Sequence, residues 1–181
     1  MWVVLHARPG AEIILGVRFG TTPDDFRAAI LNGTLEQYLH RLPVKSGDHI
    51  CVPSGTLHAI MDGILIAEIQ QNSNTTYRIF DWNRVENGTP RALHIDKAMD
   101  VINFGMVEPT LPQPILIEDV NGVRRSLLCR NRYFTTERIE FEIGAKFTSN
   151  LSGESLEIWG AIDGEVSINE VTLQGVRFAL L

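Results

Sequence analysis

Four residues near the middle of the chain, Gly47, Pro53, Gly55 and His58, have types and spacing that can do chemistry, in the pattern G-x5-P-x-G-x2-H. Imidazole is a common ligand for zinc and other borderline metals. The residues before it are suited to presenting it. Gly47 and Asp48 turn the chain into a short apolar strand, and Pro53 ends strand pairing because it has no N–H for a ladder. Gly55 allows a positive φ or a close backbone approach. His58 then re-enters on the next strand, where it can point into a barrel. The competing reading is a tight β-turn followed by an ordinary buried histidine; the glycine and proline of the turn favour the ligand. His6, His40, His49 and His94 show no partner at metal-ligand spacing, and for His94 a surface or supporting role is expected.

The elements that must position His58 are mostly strands. MWVVL, EIILGVRF, HICV, ILIAEIQ, YRIF, PILIEDV, ERIEFEI, SLEIWGAI, EVSI and VRFALL are short β-branched or aromatic runs separated by Gly, Pro, Asn and Asp. That is the pattern of sandwiches and barrels. Helices are expected at TTPDDFRAAILNG, with Thr22 as cap, Pro23 at the first helical position and Gly33 past the end. TLEQYLHRL pairs Thr34 with Gln37 as a capping box, and IDKAMDVINFG has apolar residues at spacings of three and four. Asn121-Gly122 reads as a hairpin turn, with Arg124 and Arg125 exposed beside it. Glu108–Gln113 (EPTLPQ) resembles a linker. It divides the chain into a mixed unit over 1–107, with a helical insertion near 22–42, and a smaller all-β unit over 108–181.

The bulk properties exclude several classes. The chain has 181 residues, 44% hydrophobic content and a net charge of −6, so it is neither disordered nor a basic nucleic-acid binder. No run approaches the ~20 apolar residues of a spanning helix, and the opening MWVVLHARPG lacks the form of a signal peptide. Cys51 and Cys129 lie far apart without a CxxC motif, which reads as two free thiols in a reducing, cytoplasmic setting. Trp2, Trp82 and Trp159 sit among apolar or β-branched neighbours and read as core. Arg91 and Lys97 read as solvated charges.

The segment from Gly47 to Arg84 also resembles a known family. G-x5-P-x-G-x2-H is the second cupin motif. VPSGTLHAI followed by EIQQNSNTTYRIFDWNR, and then RALHIDKAMDVI, is similar to the type I mannose-6-phosphate isomerases, in particular their short bacterial branch. The resemblance implies a mainly β fold: a cupin-like jelly-roll barrel portion with a small helical insertion, then a second small β-sandwich unit. It implies reversible isomerisation of mannose 6-phosphate to fructose 6-phosphate, with zinc bound by His58. Arg78 matches the arginine of the S-[DN]-x-T-x-R segment near the reacting carbons. Arg84 falls where other branches place a substrate-binding lysine. Glu68, between His58 and Arg78, is a further catalytic candidate.

Trp2 matches the W of the family's K-x-E-x-W motif. The zinc glutamate of that motif, and the Gln and His of Q-x-H, are therefore expected upstream of Met1, along with the first barrel strands. A barrel lacking strands exposes open edges, so self-association or a partner chain supplying them is expected. The expected small-molecule partner is a sugar phosphate, with no nucleic acid and no membrane. The alternative is an inactive cupin-like module that binds sugar phosphates or another protein.

Overall fold

The computed structural model describes residues 1–82, 84–148 and 155–180. It forms two compact units. One comprises Met1–Ile115 with Ser126–Arg138; the other comprises Leu116–Arg125 and the described residues from Ile139 onward.

The first unit is built on two three-stranded antiparallel sheets. In one, β1 (Trp2–Ala7) is central. In the other, β2 (Glu12–Val17) is central and pairs with β3 (Leu39–Pro43) on one side. β4 (His49–Ile50) and β6 (Ile64–Glu68) flank β1, while β5 (His58–Ile60) takes the free side of β2. Alternation along the strands decides which faces meet. Trp2 and Val4 from one sheet and Ile13 and Leu15 from the other share a core cluster with Val44 and Ile50. The opposite faces are covered separately. Met1 and Val3 cluster with Leu128 and Cys129, and Ile14 and Val17 cluster with Phe26, Leu35, Leu39, Ile79 and Ala98. Both central strands are therefore buried on two faces, which is why their sequences read as continuous apolar runs.

The helical insertion begins as expected. α1 (Pro23–Asn32) is capped by Thr22, whose hydroxyl accepts from the Asp25 N–H, and ends at Gly33 with φ 71°. Phe26, 0% exposed, anchors it to the core. The second expected helix is corrected. Only Leu35–Tyr38 is helical, as a single 3₁₀ turn with no side-chain cap from Thr34, and Leu39–Pro43 is strand. Sheet pairing with β2 outcompetes a short helix there, since an isolated capping box cannot offset a buried ladder. α2 (Ile95–Met99) follows a small hairpin of β7 (Val85–Glu86) and β8 (Thr89–Pro90) and is shorter than its periodicity predicts. YRIF, expected as a strand, has no ladder; it is an irregular segment that buries Ile79 in the core cluster and packs Phe80 against it.

The free-thiol reading is overturned. Cys51 and Cys129 form a disulfide with Cα atoms 5.9 Å apart, so the cysteines no longer argue for a reducing compartment. Their distance in sequence hid a closeness that the fold creates. No helix among the described residues is long and apolar enough to cross a membrane.

β9 (Ile115–Val120) turns through Asn121 and Gly122, both at positive φ, into β10 (Val123–Arg130), and the Leu116–Arg125 part of this hairpin belongs to the second unit. Positive φ at both positions is the type I′ requirement that the Asn-Gly pair signals. Arg124 and Arg125 belong to the strand that follows and pair with Asp119 and Glu118. After β11 (Thr135–Phe141), β12 (Ile158–Ala161) pairs with β15 (Arg177–Leu180), and β13 (Glu165–Ile168) pairs with β14 (Val171–Gln174). Leu181, the last residue of VRFALL, lies outside the described residues, as does Asn83 of the DWNR run.

Gly55 carries the corner before His58. Its φ is +83°, and a Cβ there would stand 2.5 Å from the Val101 carbonyl oxygen, while its own carbonyl accepts from the Asn103 N–H at 2.8 Å. Gly55→Ala combines a left-handed backbone with a backbone clash. It is expected to cost about 1–3 kcal/mol, read as a lowered urea midpoint with an unchanged slope.

Candidate functional site

Register places His58 directly opposite Leu15, and alternation then directs its neighbours Leu57 and Ala59 to the core cluster that holds Ile79 and Phe80. The His58 ring takes the other side, meeting the Trp2 ring edge-on with centroids 5.3 Å apart. His58 is exposed rather than buried. Its Nδ1 lies 2.7 Å from the Thr56 carbonyl oxygen. A carbonyl can only accept, so Nδ1 carries a proton, and in the neutral ring the lone pair is then on Nε2. That is the tautomer a metal-binding imidazole needs, with its orientation fixed by a second partner.

Trp2 has a larger role than core packing. Its indole N–H donates to Glu68 Oε1 at 3.0 Å, and Trp2 and Glu68 are direct partners across β1 and β6. His58 and Glu68 are thus joined through one aromatic ring. The sequence signal for this was available: Trp2 and Val4 share one face of a strand.

Arg78 and Arg84 are engaged in a different network. The Arg78 backbone N–H donates to His94 Nδ1 at 3.3 Å and its carbonyl accepts from the His94 N–H at 2.7 Å, while its Nη1 donates to the Ala92 carbonyl at 3.3 Å. Its Nε stands 3.9 Å from Asp81. Asp81 itself accepts a two-pronged bond from Arg91, from Nε at 2.7 Å and from Nη2. Arg91 is therefore not a solvated charge, and His94 supports Arg78, as a supporting role predicts. Arg84 lies over the Trp82 ring, 5.5 Å from its centroid, and Trp82, at φ 48°, donates to Glu36. Asp81 and Trp82 carry no motif signal of their own; their roles emerge only when residues 78–94 fold back on themselves.

The Arg91 hydrogen bond holds the Asp81 carboxyl below its ordinary value; burial, second in size, opposes it, and the charges of Arg91, Arg78 and Arg84 reinforce it. Two groups therefore assemble: an imidazole with a lone pair beside an indole and a carboxylate, and an arginine cluster organised by one carboxylate. Among the described residues no three His, Cys, Asp or Glu side chains come together as a metal site would require.

No family model matches the chain. It is 36% identical over 150 residues to a probable mannose-6-phosphate isomerase of Bacillus subtilis, covering 82% of this chain and 46% of that protein. It is 39% identical over 135 residues to the mannose-6-phosphate isomerase of Streptococcus mutans, covering 74% of this chain and 42% of that protein. The crystal structure of a mannose 6-phosphate isomerase from Bacillus subtilis superposes with a TM-score of 0.86 at 30% identity, covering 99% of this chain and 57% of that one. The fold is therefore that of a mainly β, cupin-type protein. Within that class the chain is a homologue of the mannose-6-phosphate isomerases, and it spans about half the length of the curated relatives it matches.

Asp81→Asn removes the acceptor that organises the arginines. A carboxyl held low in the fold contributes stability that is present above its unfolded value of 3.8 and lost as pH falls through its lower folded value. Urea unfolding followed from pH 5 downward should show a steeper acid loss in the parent than in Asp81→Asn. Parallel profiles would contradict the network.

Proposed function

We propose that the protein carrying this chain is a zinc-dependent mannose-6-phosphate isomerase of mannose metabolism, acting in the cytoplasm. The observation that carries the reading is the agreement of sequence and fold with proteins of that name over most of this chain. All of these relatives are named as isomerases, which favours an enzyme over an inactive sugar-phosphate-binding module.

The described residues do not make a zinc site by themselves, because zinc sites use three or four protein ligands and no three His, Cys, Asp or Glu side chains gather among them; His58, oriented through its Nδ1, is the ligand proposed here. The remaining ligands are sought outside these residues. When bound, zinc supplies Lewis-acid polarisation of a carbonyl. The chain's own residues have separate tasks. An aldose–ketose shift moves a proton between C1 and C2 through an enediolate, and Arg78 supplies positive charge for the oxygen that becomes anionic. Arg84 offers a guanidinium fork to the substrate phosphate. Glu68 fixes Trp2 against the His58 ring and brings a carboxylate beside it.

Self-association, or a partner chain covering the open edges, belongs to the same proposal. Exposed apolar side chains such as Phe19, 86% exposed, support it. A clean monomer in sedimentation at micromolar concentration contradicts it.

The test of function is a coupled isomerase assay on the natural protein. Arg78→Met should lower kcat by about 10²-fold or more with a smaller change in KM, and Arg84→Met should mainly raise KM. Wild-type kcat in Arg78→Met overturns the assignment of Arg78.

A further inference from the structure

The Cys51–Cys129 disulfide lies within the first unit and ties down the approach to the His58 corner. Cys51 follows Ile50, the cross-strand partner of Trp2, and precedes the turn at 53–55. Cys129 belongs to the cluster that covers the other face of β1, with Met1, Val3 and Leu128. Residues 51–57 between the two strands are in no ladder. Backbone bonds hold the far half of this stretch. The Thr56 N–H donates to the Pro53 carbonyl at 3.1 Å, the Asn103 N–H to the Gly55 carbonyl at 2.8 Å, and the Gly16 N–H to the Leu57 carbonyl at 2.8 Å. The near half is held through side chains, Val52 against the Trp2 cluster and Cys51 to Cys129. One of these ties is a bond that two electrons can break.

The two ends of the disulfide differ. Cys51 is exposed, whereas Cys129 is 4% exposed. Thiol–disulfide exchange requires access to a sulfur, and the Cys51 end is the one that meets solvent. Once reduced, Cys129 behaves as a small apolar side chain and keeps its place beside Leu128, while the Cys51 thiol is solvated. Breaking the bond therefore removes the tether and leaves the apolar clusters their contacts. In the cytoplasmic setting proposed above, a protein disulfide is normally transient or redox-sensing rather than permanent.

We propose that the Cys51–Cys129 disulfide is a reversible redox switch on the His58 corner. Oxidised, it fixes the stretch from which the Thr56 carbonyl orients the His58 ring. Reduced, it frees residues 51–54 and weakens that hold. The reductant is a dithiol. One of its thiolates attacks the Cys51 sulfur, forming a mixed disulfide and releasing Cys129 as a thiolate. Its second thiolate then attacks the reductant's own sulfur in the mixed disulfide and releases Cys51. Two electrons pass to the cysteine pair, the dithiol becomes a cyclic disulfide, and the two protons it gave up end on Cys51 and Cys129. The consequence for metal binding rests on the reading of His58 as a zinc ligand; the switch itself does not.

The test compares the whole chain oxidised, the same chain treated with dithiothreitol under native conditions, and the variant Cys51→Ser. Free thiols should rise from none to two on treatment and disappear again with glutathione disulfide. Amide hydrogen exchange then reads the corner. Asn103, whose N–H is bonded to the Gly55 carbonyl, should exchange about tenfold faster or more in the reduced chain and in Cys51→Ser. Ala29, buried in the middle of α1, should keep its rate, and reoxidation should restore Asn103. The treated parent keeps the test open if Cys51→Ser does not fold. A disulfide that dithiothreitol reduces only when the chain unfolds overturns the proposal, as does unchanged Asn103 exchange after reduction. Equal acceleration at Asn103 and Ala29 also overturns it, since that would mark a plain stabilising staple. No readout uses isomerase activity, so the switch and the isomerase reading fail separately.

Discussion

The corner at Pro53–Gly55 is the constraint on which the site depends. The Gly55 backbone presses against the Val101 carbonyl and accepts from Asn103, so the chain can reverse there only if the residue has no Cβ. From that corner Thr56 presents a carbonyl to the His58 Nδ1, and β5 enters the sheet with His58 opposite Leu15. One backbone contact thus sets the strand register, the ring's orientation and its tautomer together. A shift of one residue would turn His58 to the core side and bring Leu57 or Ala59 to Trp2.

Trp2 is the second fixed point. It is 3% exposed, fills the core between the two sheets, and presents its edge to His58 and its N–H to Glu68. Packing and site geometry are therefore one object here: the ring that stabilises the sheet pair also spaces an imidazole from a carboxylate. The arginine cluster is organised differently, by an irregular segment that Ile79 anchors in the core and whose side chains are aligned by Asp81. Hydrogen bonds to His94 and the Ala92 carbonyl, with the Asp81 charge 3.9 Å away, hold Arg78 in place without a strand ladder.

These differences explain what could be read from the sequence. Strands with period-two burial, the Thr22–Gly33 helix and the Asn121-Gly122 turn carry local signals strong enough to survive folding, and so does the glycine corner before His58. The Thr34–Gln37 box failed because β2 offered Leu39–Pro43 a better set of hydrogen bonds. YRIF resembled a strand by composition but found no neighbour to pair with, because composition measures fitness for a half-buried surface and not the presence of a partner strand. The Cys51–Cys129 pairing and the Trp2–Glu68 bond join residues distant in sequence, and no local pattern pairs them. The Asp81 clasp spans only ten residues, but it depends on an irregular fold-back that no period or turn signal marks.

The central claim is that His58 is preset as a ligand by the Thr56 carbonyl. The most direct measurement is the ¹⁵N spectrum of the His58 ring near neutral pH, before and after zinc is added. The account predicts a protonated Nδ1 and a bare Nε2 from the outset, with zinc perturbing Nε2. A ring protonated at Nε2, or one exchanging freely between both forms, would mean that the corner does not prepare this imidazole for a metal.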